Sequence, residues 1–168
     1  MSKILIIAEA GINHNGSLQL AKKLVDKAIY AKADVVKFQS YKTENIVTKN
    51  TKKAKYQKVG EKSQFEMLKK YELSEKKQLE LIKYCKHKKI EFLSTAFDIK
   101  SALFLKKQKL KRIKIPSGEI TNLPLLKFLG SFNKKIIISS GMSEMNDIKL
   151  ALNILIKSGT DKNKITVL

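Results

Sequence analysis

The chain has 168 residues, 43% of them hydrophobic, which suits one domain with a sizeable core and argues against disorder, while 7 Gly and 2 Pro exclude collagen-like and low-complexity classes. The balance of 35 Lys and Arg against 15 Asp and Glu sets a formal net charge of +20, which invites a nucleic-acid reading. Base readout leans on Arg, however, and Arg112 stands alone; the lysines are scattered over outer helix faces (Lys22, Lys23, Lys76, Lys77, Lys106, Lys107). A solvated basic surface that draws in small anions is the reading adopted, with no nucleic-acid partner.

The opening "MSKILIIAEAG" is too short an apolar run for a signal segment or a membrane span and reads as a buried strand, Ile4–Ala8. Next, "NGSLQLAKKLVDKAIYAKA" is an amphipathic helix with Ser17 as N-cap and Leu20, Leu24, Ala28 and Ala21, Val25, Ile29 as adjoining inward rows. A second strand follows at Asp34–Phe38. The connection across 40–73 is unusually long, with a short helix near Gln64–Lys70, and reads as a binding loop or lid. "SEKKQLELIKYCKHKK" is a helix capped by Ser74 with Leu79, Ile82 and Cys85 inward. Cys85 is the only cysteine, so no intramolecular disulfide forms; a buried thiol and a reducing, cytoplasmic setting are expected.

Strands are then predicted at Ile90–Leu93, Arg112–Ile115, Ile136–Ser139 and Ile165–Leu168. Helices start near Asp98 (Ala102 and Leu105 inward), near Pro124, and at Ser143 (Met145, Ile148, Leu152 and Leu155 inward). Near-continuous apolar strands alternating with helices signal a parallel sheet covered on both faces. Five βα units and a sixth strand fall short of a closed (β/α)8 barrel, and "ITVL" ends in what reads as a core strand, so a truncated barrel is expected.

In such folds the chemistry sits at the carboxyl ends of the strands. Collected there are Glu9; Lys37 and Gln39; Ser94 and Thr95; Lys114, Ser117 and Glu119; Ser139 and Ser140. Lysines with hydroxyls around glycine turns suit a phosphate or carboxylate, because ammonium groups neutralise charge while hydroxyls and backbone N–H groups fix orientation. Glu9 and Glu119 are poor anion binders but plausible proton handlers or sugar-hydroxyl acceptors. Alternatives stay open: Lys37 could pair structurally with Glu9, Ser139 and Ser140 could only shape a turn, and His14 in "INHNG" could order its loop or touch a ligand. His87 ends a basic helix and reads as exposed. The two histidines lack metal-ligand spacing, and Walker, GxGxxG, GxSxG and CxxC motifs are absent.

"IAEAGINHNG", "VVKFQS", "FLSTAFD", "KIPSGE" and "IIISSGM", in this order, resemble the N-terminal part of the sialic acid synthase family, which includes the N-acetylneuraminate, legionaminic and pseudaminic acid synthases. The resemblance implies a cytoplasmic, homodimeric transferase with a (β/α)8 barrel. Such an enzyme condenses phosphoenolpyruvate with N-acetylmannosamine or a related N-acetyl amino sugar, giving a nonulosonic acid and phosphate. It implies that Lys37, Thr95, Lys114, Ser117 and Ser139 hold phosphoenolpyruvate, with Gln39 adjacent, that Glu9 contacts the sugar, and that Glu119 stands near the reacting centre.

The same resemblance implies a divalent Mn or Mg whose two histidine ligands, like the antifreeze-like domain, would lie beyond Leu168; little turnover by the isolated chain is therefore expected. Two departures from the family pattern stand out. Ala96 replaces a Pro, which predicts a looser Thr95, and Pro116 replaces a Gly. A non-catalytic anion-binding half-barrel, or a subunit needing a complementary chain, remains the alternative.

Overall fold

The computed structural model describes residues 4–52 and 63–168. Six strands form one sheet in chain order: β1 (Ile7–Gly11), β2 (Val35–Ser40), β3 (Glu91–Ala96), β4 (Arg112–Ile115), β5 (Lys135–Ile138) and β6 (Ile165–Val167). Every registered pair is parallel, which requires a crossover between successive strands, and helices supply it. Those helices are α1 (Leu18–Tyr30), α2 (Thr43–Ile46), α3 (Gln64–Tyr71), α4 (Glu75–His87), α5 (Ile99–Lys107), α6 (Leu123–Gly130) and α7 (Met145–Lys157). The chain divides into two compact units, one ending at Phe92 and one beginning at Leu93.

In the first unit, Ser17 caps α1 by accepting from the Leu20 N–H, Ser63 caps α3 and Ser74 caps α4. The buried residues of α1 are Ala21, Val25 and Ala28, drawn from both expected rows, whereas Leu20 and Ile29, at the outer ends of those rows, are exposed. In α4 the buried row is Gln78, Leu81 and Cys85 rather than Leu79, Ile82 and Cys85, and Leu79 is 37% exposed. A polar inward residue explains the misreading. Gln78 is buried because its amide donates to the Leu73 carbonyl while its carbonyl accepts from the Ser40 hydroxyl, satisfying both ends. The long 40–73 connection is partly structured: α2 and α3 bracket it, and Glu72 accepts from both the Thr43 N–H and its hydroxyl. Its middle part, 53–62, lies outside the described residues.

In the second unit the caps are Asp98 for α5, Asn122 for α6 and Glu144 for α7, the last in a reciprocal capping box with Asp147. α7 therefore begins two residues later than expected. Its buried residues are Ala151 and Leu155, while Met145 is 63% exposed. The end of α6 packs tightly on α7: a Cβ on Gly130 would fall 2.8 Å from the Ser158 Cβ, and the Thr160 hydroxyl donates to the Gly130 carbonyl at 2.7 Å. The core strands β4 and β5 bury Ile113, Ile115, Ile136, Ile137 and Ile138.

Truncating a fully buried Leu costs about 2–5 kcal/mol, whereas a surface site costs about 0.5. Leu81→Ala is therefore expected to lower stability by about 3 kcal/mol in chemical denaturation and Leu79→Ala by under about 1. Equal losses would return Leu79 to the core.

Candidate functional site

Each unit carries part of the polar inventory. In the first, Glu9 on β1 and Lys37 on β2 are register partners, and the lysine ammonium is ion-paired with the Glu9 carboxylate. The structural alternative for Lys37 is thus realised in this conformation. Glu9 remains half exposed and Lys37 is largely covered, so the carboxylate is the more accessible member. β1 ends at Gly11 with φ +54, where a side chain would be strained and would crowd the Glu9 carboxylate at 3.2 Å. The Gln39 amide also lies beside this glycine.

His14 is buried, and its Nδ1 accepts from the Gly16 N–H at 3.0 Å, ordering the turn that follows β1. That bond leaves the ring proton on Nε2, which has no partner. Gly16 has no room for a Cβ, which would fall 2.2 Å from the Lys70 carbonyl oxygen, and Lys77 donates to the Gly16 carbonyl. The turn is pinned from three directions. His87, by contrast, is exposed, as expected.

In the second unit, Thr95 on β3 is in register with Lys114 on β4. Both are buried, Lys114 to 7% exposure. The Lys114 ammonium donates to the Ser139 hydroxyl and to the Ile115 carbonyl, the latter at 3.2 Å. Alternation sends Ile113 and Ile115 to the opposite face, as the sequence pattern requires. The same alternation separates Ser94 from Thr95, so Ser94 leaves the hydroxyl set. Ser140 leaves it too: its N–H and hydroxyl both donate to the Leu168 carbonyl, at 3.0 and 2.8 Å. Ser139 follows β5 directly rather than ending it.

Pro116 precedes a 3-10 turn, Ser117–Glu119, with φ −78, which its ring permits. This turn meets the loop after β5, since a Cβ on Gly141 would lie 2.6 Å from the Ser117 side chain. Ser117 and Ser139 therefore stand on two touching turns. Ala96 continues β3 with its side chain fully buried, and Thr95 lies within that strand.

Glu119 is half-buried, and burial raises its pKa above the usual carboxylate range; a hydrogen bond from Asn122 opposes the rise. Asn122 was not singled out in the sequence. Its Nδ2 donates to the Glu119 carboxylate at 2.7 Å while its Oδ1 accepts from the Leu125 N–H, so one amide caps α6 and orients the acid. The signal was present as Asn two residues ahead of Pro124, a helix-start pattern, three positions after the carboxylate. Among the described residues no three His, Cys, Asp or Glu side chains gather as a metal site.

Burial, reinforced by the Lys77 charge, lowers the His14 pKa to about 4. The unfolded chain binds that proton first, near the ordinary value of 6.5, so the stability due to a neutral His14 is present above pH 6.5 and lost as the pH falls toward 4. Chemical denaturation across this window is expected to show a decline approaching about 1.4 kcal/mol per pH unit. His14→Gln should flatten it and His87→Gln should not. An unchanged slope in His14→Gln would place the proton elsewhere.

Residues 24–168 match the NeuB family. The chain is 51% identical to N,N'-diacetyllegionaminic acid synthase of Campylobacter jejuni, over 100% of this chain and 51% of that protein. It is 48% identical to the Legionella pneumophila protein of the same name, over 88% of this chain and 42% of that one. Among solved structures, N-acetylneuraminic acid (sialic acid) synthetase from Leptospira borgpetersenii, in complex with citrate, superposes with a TM-score of 0.83 at 30% identity, covering 99% of this chain and 53% of that one. The chain thus spans about half the length of the relatives it matches. With the family matched across most of its residues, this chain belongs to the NeuB family of sialic acid synthases.

Proposed function

We propose that the chain carries the phosphoenolpyruvate-binding part of a nonulosonic acid synthase, built on the first strands of a (β/α)8 barrel. The observation that carries the reading is the buried Lys114 ammonium, held by the Ser139 hydroxyl beside Thr95, on strand ends whose turns bring Ser117 alongside. A cation buried to this degree is costly unless oxygens surround it, and a carboxylate or phosphate ligand offers both oxygens and a compensating charge. The Leptospira relative was crystallised with citrate, a polycarboxylate, which is the ligand chemistry expected here.

In this proposal Lys114 and the hydroxyls of Thr95, Ser117 and Ser139 bind and orient the carboxylate and phosphate of phosphoenolpyruvate. Lys37, Glu9 and Gln39 enter through the family resemblance alone, Lys37 to the same ligand and Glu9 to the sugar. Glu119, its pKa raised by burial and its orientation set by Asn122, is suited to holding a proton near the reacting carbons. The acceptor is an N-acetyl amino sugar, its legionaminic-type precursor favoured by the 51% identity to the Campylobacter synthase.

Calorimetric titration with phosphoenolpyruvate tests the proposal. Hydrogen bonds to a charged group contribute about 1.5–3 kcal/mol, so Lys114→Met should weaken binding roughly 10- to 100-fold, with Ser139→Ala weaker by a smaller factor. Lys37→Met should also lose affinity. Unaltered affinity in Lys114→Met would overturn the assignment, and unaltered affinity in Lys37→Met alone would leave that residue as the ion-pair partner of Glu9.

A further inference from the structure

The second unit holds a cavity of about 200 Å³ that the reaction does not use. Its floor is apolar: Ala102 and Leu105 from α5, Ile113 from β4 and Leu129 from α6, all buried. Alternation puts Ile113 and Ser94, which line it, on the face of their strands away from Lys114 and Thr95. The cavity is therefore separate from the anion cluster described above.

Its lining also contains Lys106, Lys109 and Lys134 and no acidic residue. Lys106 is placed by aromatic rings, its Nζ lying 4.6 Å from the centroid of Phe132 and 5.9 Å from that of Phe128. Phe132, edge-on to Phe128, itself lines the cavity. Lys109 stands at φ +53 where the chain turns after α5.

We propose that this cavity is a second ligand site, for a small aromatic carboxylate whose ring enters the apolar floor and whose anionic group meets the lysines. Size and charge select that class together. A dry apolar cavity of about 150 Å³ accommodates benzene, so the space suits one ring and a short acid arm. A cationic ligand meets three like charges, and a neutral apolar one leaves them unused.

The test is a titration of the methyl-labelled chain with phenylacetate, followed by NMR. Saturable shifts are expected at Leu105, Ile113 and Leu129, about tenfold weaker for the neutral amide phenylacetamide and for the double variant Lys109→Asn/Lys134→Gln, in which Asn tolerates the left-handed turn. Ala102→Phe should fill the cavity and abolish the shifts; should it fail to fold, the lysine double variant still decides. Lys114→Met should leave the shifts in place, separating this site from the proposed phosphoenolpyruvate cluster. Absent methyl shifts, equal binding of the amide, or a response to inorganic phosphate confined to the lysines would each overturn the proposal.

Discussion

A lysine buried in a strand is the constraint on which the second unit turns. The Lys114 ammonium cannot leave water cheaply, and the surrounding chain is arranged to supply oxygens to it. β4 and β5 lie in parallel register from Arg112–Lys135 to Ile115–Ile138, which brings Ser139, the first residue past β5, within reach of the amine. β3 contributes Thr95 at the same level. The turn after β4 is then packed against the glycine after β5, leaving Ser117 beside that loop. Isoleucines on the opposite face bury what the polar face cannot, so one strand serves both core and site.

The first unit expresses a related compromise around Glu9 and Lys37. There the cation has a carboxylate partner within the fold, and that carboxylate is open to solvent. Lys37 is thus satisfied within the fold. Behind it, His14 holds the turn through a neutral ring, a choice that protects the loop above pH 6.5 at the expense of one unpartnered N–H.

Strand existence was legible because both-face burial writes continuous apolar runs, and Arg112–Ile115 matched its expected bounds. Glu9, Lys37, Thr95, Lys114 and Ser117 could be put forward as candidates because residue type at a strand end is visible in one dimension. Inward helix rows were less legible. Gln78 is a core residue in α4 because Ser40 and Leu73 satisfy it, and no periodicity of apolar residues announces such a partner. Ser94 and Ser140 were collected because they lie at strand ends, whereas pleat alternation turns Ser94 away from Thr95 and the Leu168 carbonyl engages Ser140. Asn122 needed the three-dimensional turn to show that a helix cap also holds a carboxylate.

The central claim is that Lys114 is an anion-binding cation rather than a structural one. Nitrogen-detected NMR of the lysine side chains, with phosphoenolpyruvate added at neutral pH, tests it most directly. The expected result is a saturable shift of the Lys114 Nζ resonance while exposed lysines such as Lys76 change only with ionic strength. A Lys114 resonance that stays fixed while phosphoenolpyruvate binds elsewhere would contradict the claim.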